Sequence, residues 1–222
     1  MVDNQHWLDR WQQDRIGFHE SSVNRHLKKW FPELAPAPGS QIFLPLCGKA
    51  LDIYWLAQQG YEVLGIELSQ IAVEAFFEEN RIPFERSEGT RFTRYRADNI
   101  TLLQGDFFDL TAQDLRDCRF VYDRASLIAM EGDFRDRYYA HMPAILPASC
   151  DMLLITLEYD PAEMRGPPFS VPSDEMMQRY REAFSIHMLE TEDIIDERPR
   201  WRTVGLSALQ ESVFRLTRQV QS

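Results

Sequence analysis

The sequence predicts an α/β fold, with a mostly parallel sheet, an antiparallel C-terminal strand and helices on both faces. Apolar strand-like runs alternate with helical stretches from Gln41 onward, which is typical of right-handed crossovers between parallel strands. A glycine turn follows the first run and a carboxylate ends the second, as in nucleotide-binding α/β proteins. The last two runs, 185–189 and 212–217, have no intervening helix large enough for a crossover, which predicts an antiparallel edge strand at the C-terminus.

The predicted elements follow in chain order. Helices at about residues 4–13 and 20–29 precede a proline-rich linker, PELAPAPGS, at 32–40. Strands are predicted at 41–46, 62–66, 100–104, 119–122 and 152–158, and further helices at 50–59, 70–80, 134–145 and 173–183. A chain of 222 residues that is 44% hydrophobic can bury one sizeable core. We therefore expect a single domain, 1–222, in which residues 1–38 form an N-terminal helical cover segment.

Composition excludes several classes of partner. A net charge of -11 disfavours nucleic acid and anionic membranes, because both attract basic surfaces. No apolar run is long enough to span a membrane, and the N-terminus, MVDNQHW, is too polar for a secretory signal. Cys47, Cys118 and Cys150 are odd in number and scattered, so they predict neither a disulfide framework nor a zinc site. We expect a cytoplasmic, metal-free, monomeric protein with a small-molecule substrate.

The segment 42–48, IFLPLCG, together with Glu67 at the end of YEVLGIE, describes a nucleotide-binding corner. A carboxylate at the end of the second strand lies beside the first turn and can accept both hydroxyls of a ribose. The turn at Leu46 has one glycine, Gly48, where a dinucleotide-binding loop has three to approach a pyrophosphate. S-adenosylmethionine has a ribose and no phosphate, so the corner fits this methyl donor better than NAD. The alternative interpretation of Glu67 is an ordinary charged loop residue.

Two later turns offer further polar residues at the same sheet edge. Asp106 follows the strand ITLLQ, and its carboxylate can accept from an adenine amine while Phe107 packs on the ring. The alternative for Asp106 is a helix N-cap or turn former. Arg124, in VYDRAS, is expected in the cleft, with a surface charge or an ion pair as its alternative. Cys47 is interpreted as a small apolar filler.

Aromatic residues are concentrated near the N-terminus. Trp7 and Trp11 are four residues apart, the spacing of a core-facing helix stripe. Gly17 in the polar turn DRIGFH could instead let this segment fold over the crevice. Aromatic faces attract cations by roughly 0.5–2 kcal/mol, so Trp11 or Phe18 could cover a sulfonium. Core packing and cover therefore remain alternatives.

Several motifs carry a resemblance to a known family: WLDRWQQDRIGFH, PLCGKA, VLGIELS, GDFFDL, VYDRASLIA, and YDP followed by GPPFSVP. On these motifs the chain resembles the thiopurine S-methyltransferases, in their bacterial type, over nearly its whole length. The resemblance implies the class I S-adenosylmethionine-dependent methyltransferase fold, which is Rossmann-like. It also implies S-adenosylmethionine as methyl donor and S-adenosylhomocysteine as product.

The resemblance assigns roles to individual residues. It implies a donor site that uses Trp11, Leu46, Glu67 and Arg124, with Phe18 on the substrate side. Asp106 and Phe107 look like the adenine-contacting pair. Arg198 looks like the family's second substrate-pocket arginine, but the segment ERPRWRTVG is about two residues longer than the family pattern. Arg200 and Arg202 therefore compete with Arg198 for that role.

The expected reaction is displacement of the sulfonium methyl by a sulfur or related soft nucleophile. Arg124 or Arg198 would favour the thiolate electrostatically or hold a water that accepts the proton. GPPF reads as a loop made rigid by its prolines that could close the acceptor pocket, or as a structural turn. One alternative is methylation of selenium or tellurium compounds in a metalloid response. Another is a non-catalytic protein that binds adenosyl ligands; nucleic-acid methylation is disfavoured by the charge.

Overall fold

The computed structural model of the chain describes residues 3–219. Residues 1, 2 and 220–222 lie outside the described residues. They include the start of the polar N-terminus and the two ends of the domain that the sequence predicts. Two compact units are present, residues 3–122 with 145–147, and residues 123–144 with 148–219. The single domain stays a prediction, and the two units are described separately.

The first unit contains the glycine turn and the carboxylate that the sequence singles out. Its helices are α1 (Asn4–Gln12), α2 (Arg25–Leu34), α3 (Leu51–Gln58) and α4 (Gln70–Glu79). Its strands are β1 (Gln41–Leu44), β2 (Glu62–Glu67), β3 (Glu85–Glu88), β4 (Thr93–Ala97), β5 (Ile100–Gln104) and β6 (Cys118–Arg124), the last of which continues into the second unit. The strand order is β3-β4-β5-β2-β1-β6.

Parallel pairing defines the centre of this sheet. β1 is parallel to both β2 and β6, and β2 is parallel to β5, whereas β3 and β4 form an antiparallel hairpin beside β5. Successive residues on β1, Ile42 and Phe43, are both 0% exposed, so both faces of this strand are covered. The turns after β1, β2 and β5 therefore lie together at one edge, where open α/β sheets bind ligands.

The second unit is antiparallel. It contains α5 (Gly132–Ile145), β7 (Asp151–Glu158), α6 (Ser173–Tyr180), β8 (Phe184–Asp193), α7 (Pro199–Thr203) and β9 (Gln210–Arg218). β9 is antiparallel to β7 and to β8, which confirms the antiparallel C-terminal strand. Its expected position at the edge is wrong, because β9 lies between β7 and β8. Burial explains the order: Val213, Phe214 and Leu216 of β9 are 0% exposed, and the charged β8 takes the outer position.

Two further expectations need correction. The second helix begins at Arg25 rather than near Glu20, because the side chain of Asn24 caps it by accepting from the backbone N–H groups of His26 and Leu27. The same helix continues through Pro32, which the sequence assigned to the linker. The β3–β4 hairpin was not predicted, since β3 reads ERSE and all four of its residues are exposed, which leaves no apolar alternation to detect.

Candidate functional site

The turn after β1 is built on strained backbone. Leu46 adopts a φ of 45° and Gly48 a φ of 52°, in the left-handed region that costs energy for a residue with a side chain. The backbone N–H of Cys47 donates to the carbonyl of Ile66 on β2 at 3.0 Å, which fixes the turn to the neighbouring strand. A Cβ at Gly48 would lie 3.2 Å from the Trp11 ring, so glycine suits both the conformation and the close approach.

Glu67 ends β2 with its carboxylate directed at this turn. It is 7% exposed; Oε2 accepts from the N–H of Gly48 at 2.9 Å, and Oε1 accepts from the N–H of Ser69 at 2.8 Å. Burial raises the pKa of Glu67, while the N–H groups of Ser69, Gly48 and Leu68 oppose the rise. Each carboxylate oxygen can accept a further hydrogen bond, so Glu67 can still receive the two hydroxyls of a ribose.

Cys47 lies beside this carboxylate. It is 8% exposed, and its sulfur would be 2.7 Å from a Cβ added at Gly65 on β2. Burial, and then the charge of Glu67, raise the pKa of the Cys47 thiol well above its usual range. A thiol kept protonated in this way is a poor nucleophile, which agrees with the interpretation of Cys47 as filler.

The third turn adjoins the second. The N–H of Gly105 donates to the backbone carbonyl of Glu67 at 2.9 Å, which places Asp106 next to the carboxylate corner. Oδ1 of Asp106 accepts from the N–H of Phe108 at 2.8 Å, so Asp106 caps the short 3-10 helix Phe107–Asp109, as its alternative interpretation predicted. The Phe107 side chain is 4% exposed. The capping role and the adenine role are compatible, since Oδ2 is directed elsewhere.

That second oxygen binds a residue that the sequence did not single out. The side-chain amide of Asn4, on α1, donates to Oδ2 of Asp106 at 2.7 Å. Nothing in the sequence relates the two residues, because the pair is long-range and asparagine near a helix start is ordinary. Ser69, whose hydroxyl caps α4, was detectable as a serine preceding an apolar helical stretch.

The N-terminal aromatics form a cluster over the first turn. The ring of Phe18 makes edge-to-face contacts with Trp7 and Trp11 at centroid distances of 5.6 and 5.5 Å. The guanidinium of Arg10 lies 5.6 Å from the Phe18 ring centroid. Trp11 is 7% exposed and packs against Gly48, whereas Phe18 is half-buried. The structure thus brings Trp11, Leu46, Gly48, Glu67, Asp106 and Phe107 into one region of the first unit.

The candidate arginines belong to the second unit. Arg124 ends β6, is half-buried, and precedes Ala125, which has a φ of 68°. Arg198 is half-buried before α7, whereas Arg200 and Arg202 are exposed. Arg200 stacks on the ring of Trp201 at 4.7 Å, and Nε of Arg202 donates to Oδ1 of Asp196 at 3.0 Å.

The GPPF loop is held by its flanking residues in the second unit. The hydroxyl of Tyr159 donates to the carbonyl of Pro168 at 2.6 Å, and the Ser170 hydroxyl bonds both the N–H and the carbonyl of Tyr159. The N–H of Phe169 donates to the carbonyl of Ile128 at 2.7 Å. These bonds, in addition to the prolines, fix the loop.

Two features are absent from residues 3–219. No group of three or more histidine, cysteine, aspartate or glutamate side chains is arranged to hold a metal ion in this part of the chain. Within the same range, the structure has no helix with the length and apolar character needed to cross a membrane.

The donor corner passes a chemical test for S-adenosylmethionine. Glu67 offers acceptors for ribose hydroxyls, and the single glycine at the turn provides no pyrophosphate cradle. The ring of Trp11, an aromatic group of the kind that attracts cations, packs beside the same glycine. The residues present therefore fit this cofactor.

Comparison with known proteins agrees with this geometry. A family model described as thiopurine S-methyltransferase matches residues 2–219. A thiopurine S-methyltransferase of Nitrosospira multiformis is 46% identical over 215 residues, covering 97% of this chain and 98% of the relative. One from Azotobacter vinelandii is 46% identical over 214 residues, with coverages of 96% and 98%.

Solved structures show the same fold at low sequence identity. A phosphoethanolamine N-methyltransferase 2 of Haemonchus contortus, in complex with phosphomonomethylethanolamine and S-adenosylhomocysteine, has a TM-score of 0.69 at 11% identity. The match covers 99% of this chain and 61% of the other. A methyltransferase dependent on S-adenosylmethionine from Anabaena variabilis has a TM-score of 0.67 at 14% identity, with coverages of 99% and 96%. At such identities the likeness extends to the class I Rossmann-like fold alone.

Proposed function

The chain belongs to the thiopurine S-methyltransferase family, and on this basis we propose that it methylates the sulfur of thiopurines or other small aromatic or heterocyclic thiols. It is a methyltransferase dependent on S-adenosylmethionine, with S-adenosylhomocysteine as product. The observation that carries the proposal is the Glu67–Gly48 corner, which offers ribose acceptors without a pyrophosphate cradle.

The proposed donor site is made of residues in the first unit. Glu67 would accept the ribose hydroxyls, Asp106 and Phe107 would bind the adenine, and the turn at Leu46 and Gly48 would line the donor. Trp11 would cover the sulfonium. When bound, S-adenosylmethionine supplies an electrophilic methyl group on a good leaving group. Catalysis then depends mainly on positioning and on exclusion of water.

The acceptor side uses positive charge and an apolar wall. Arg124 and Arg198 would favour the thiolate, because a nearby cation lowers the pKa of a thiol. The half-burial of Arg198 supports its choice over Arg200 and Arg202, whose side chains are exposed. The GPPF loop would contact the substrate ring. For Phe18, of the first unit, the proposal is a role on the substrate side.

We also propose that the enzyme acts as a cytoplasmic monomer on a small molecule. Cys47, Cys118 and Cys150 are buried and form no disulfide within residues 3–219, which suits a reducing compartment. The large apolar side chains exposed among residues 3–219 are Tyr54, Ile71, Met188 and Val204, which lie on separate elements or turns and supply no evident interface patch. Sedimentation over a range of protein concentrations tests the monomer.

The test of function is an acceptor panel with methyl-labelled S-adenosylmethionine. We expect label in a thiopurine and in a simple aromatic thiol, with stoichiometric S-adenosylhomocysteine. Transfer only to a selenol, selenite or tellurite would replace the thiol proposal with a metalloid one. Donor binding by calorimetry without turnover on any acceptor would favour the non-catalytic alternative.

A further inference from the structure

A carboxyl group to which the proposed reaction gives no role lies beside Arg124. Asp123 is 0% exposed, and its Oδ2 accepts a 2.6 Å hydrogen bond from the hydroxyl of Tyr138 on α5. Tyr138 is also fully buried. Burying an ionisable group costs free energy unless hydrogen-bond donors compensate it, so core packing alone does not explain this pair.

The turn that follows Arg124 places further polar groups near the carboxylate of Asp123. Ala125 has a left-handed φ of 68°, and Ser126 is 0% exposed. Burial raises the pKa of Asp123 to about 6, and the Tyr138 hydroxyl, the Ser126 hydroxyl and the N–H groups of Leu127 and Ser126 hold it from rising further. These groups therefore favour the ionised carboxylate. Its Oδ1 is buried without a well-formed hydrogen bond to a described residue, so the turn acts on that oxygen by electrostatic attraction.

The same turn reaches the GPPF loop. The 3-10 helix Leu127–Ala129 follows Ser126 directly, and the carbonyl of Ile128 accepts the 2.7 Å hydrogen bond from Phe169. Displacement of the turn would therefore move two motifs of the second unit together.

We propose that the ionised carboxylate of Asp123, held by the Tyr138 hydroxyl, is a positioning residue for methyl transfer. It fixes the strained turn that carries Arg124 and, through Ile128, the GPPF loop. The inference rests on the proposed function, in which Arg124 and this loop act on the acceptor. Protonation of Asp123 would remove a charge that the turn is arranged around, so positioning would fail at low pH.

A second buried phenol provides a matched control. Tyr180 on α6 is 0% exposed; burial raises the pKa of its phenol, and the nearby carboxylate charge of Asp123 raises it further. Its hydroxyl is buried without a hydrogen-bond partner among residues 3–219. The charged and titratable groups around the cluster are Tyr139, Arg135, Arg179 and Glu175. Tyr138 and Tyr180 thus share burial and chemistry but differ in the bond to Asp123.

The experiment is the pH dependence of kcat in the wild type, Asp123→Asn, Tyr138→Phe and Tyr180→Phe. The acceptor is an electron-poor aromatic thiol that is ionised over the whole range, so the thiol contributes no titration of its own. We expect the wild-type kcat to rise through about pH 6. Asp123→Asn should lower kcat at least ten-fold and lose this rise. Tyr138→Phe should move the rise to higher pH, because a bond to the charged form is lost, and Tyr180→Phe should match the wild type.

Folding is followed by thermal denaturation at each pH, and S-adenosylhomocysteine affinity by calorimetry. If Asp123→Asn fails to fold, Tyr138→Phe decides. A lower kcat with an unmoved pH profile in Tyr138→Phe means that the pair only stabilises the fold, and overturns the inference. An inactive wild type would overturn the proposed function as well, whereas an active wild type with unmoved variants overturns the inference alone.

Discussion

The side-chain amide of Asn4 hydrogen bonds to Oδ2 of Asp106 at 2.7 Å, which joins the first helix to the third turn of the sheet edge. The 3-10 helix cap uses Oδ1 of Asp106, so Oδ2 is the oxygen that the proposed adenine contact would share with Asn4. The N-terminal segment is therefore tied to the donor corner at both Asn4 and Trp11.

Asn4→Ala should loosen α1. A hydrogen bond to a charged group is worth about 1.5–3 kcal/mol, so amide exchange in α1 should accelerate at least ten-fold without ligand. Gln5→Ala is the control, since its amide bonds only Asp9 within the same helix. Hydrogen exchange measured with and without S-adenosylhomocysteine should also show slower exchange on ligand addition. Equal amide exchange rates in Asn4→Ala and the wild type would show that the Asn4–Asp106 hydrogen bond does not hold α1 in place.

Glu67→Gln should weaken donor binding by about 1.5–3 kcal/mol, the scale for hydrogen bonds to a charged acceptor. Glutamine keeps one side-chain oxygen, so only one of the N–H groups of Gly48 and Ser69 retains an acceptor. The unfolding free energy of the variant should therefore fall by about 1–3 kcal/mol. Calorimetry and urea unfolding measure the two effects. Glu62→Gln, at the exposed start of the same strand, should change neither. Wild-type donor affinity in a folded Glu67→Gln protein would exclude the ribose role.

Arg124→Ala should reduce turnover of a thiol more than Arg124→Lys does, because the lysine keeps the charge that favours the thiolate. The expected loss for alanine is on the order of ten- to a hundred-fold. Initial rates at one pH and saturating donor make the comparison. Arg119→Ala, on an exposed position of the same strand, serves as the control. Equal rates for all three variants would reduce Arg124 to a surface charge.

Asp123 should make stability depend on pH. Its folded pKa of about 6 lies above its usual value of 3.8, so the folded state binds the proton more tightly than the unfolded state. Stability from this group is present below pH 4 and is lost as pH rises through about 6, by about 3 kcal/mol. Burial of Glu67 acts in the same direction. Urea unfolding from pH 4 to 7 should therefore show a smaller decline in Asp123→Asn than in the wild type.

The local sequence pattern predicted those elements that an apolar run or a turn residue specifies by itself. The apolar run that begins at Ile42 predicted β1, the run that ends at Glu67 predicted β2, and the turns that follow these strands were predicted with them. The pattern did not predict helix ends that depend on a single polar contact, or strand positions that depend on how apolar one strand is relative to another. Asn24 sets the start of α2 by capping it. The interior position of β9, which contains Val213, follows only when its apolar residues are compared with the charged residues of β8.

The candidate site shows the same division. Leu46, Gly48 and Glu67 were predictable because chain order alone places them on adjacent turns. Asn4 was not, since its contact depends on how the N-terminal helix packs, and no residue near it in the sequence reports that packing. Asp123 was visible as an acid at a strand end, but its partner Tyr138 comes from a separate helix.

The insertion of β9 between β7 and β8 has a consequence for biosynthesis. The ribosome makes β7 and β8 first, and each then lacks the neighbour that it has in the finished sheet. Until residues 210–218 leave the exit tunnel, the edges of β7 and β8 that β9 later covers could pair with other chains. A nascent chain stalled before Gln210 should therefore be protease-sensitive in the second unit and should recruit chaperones.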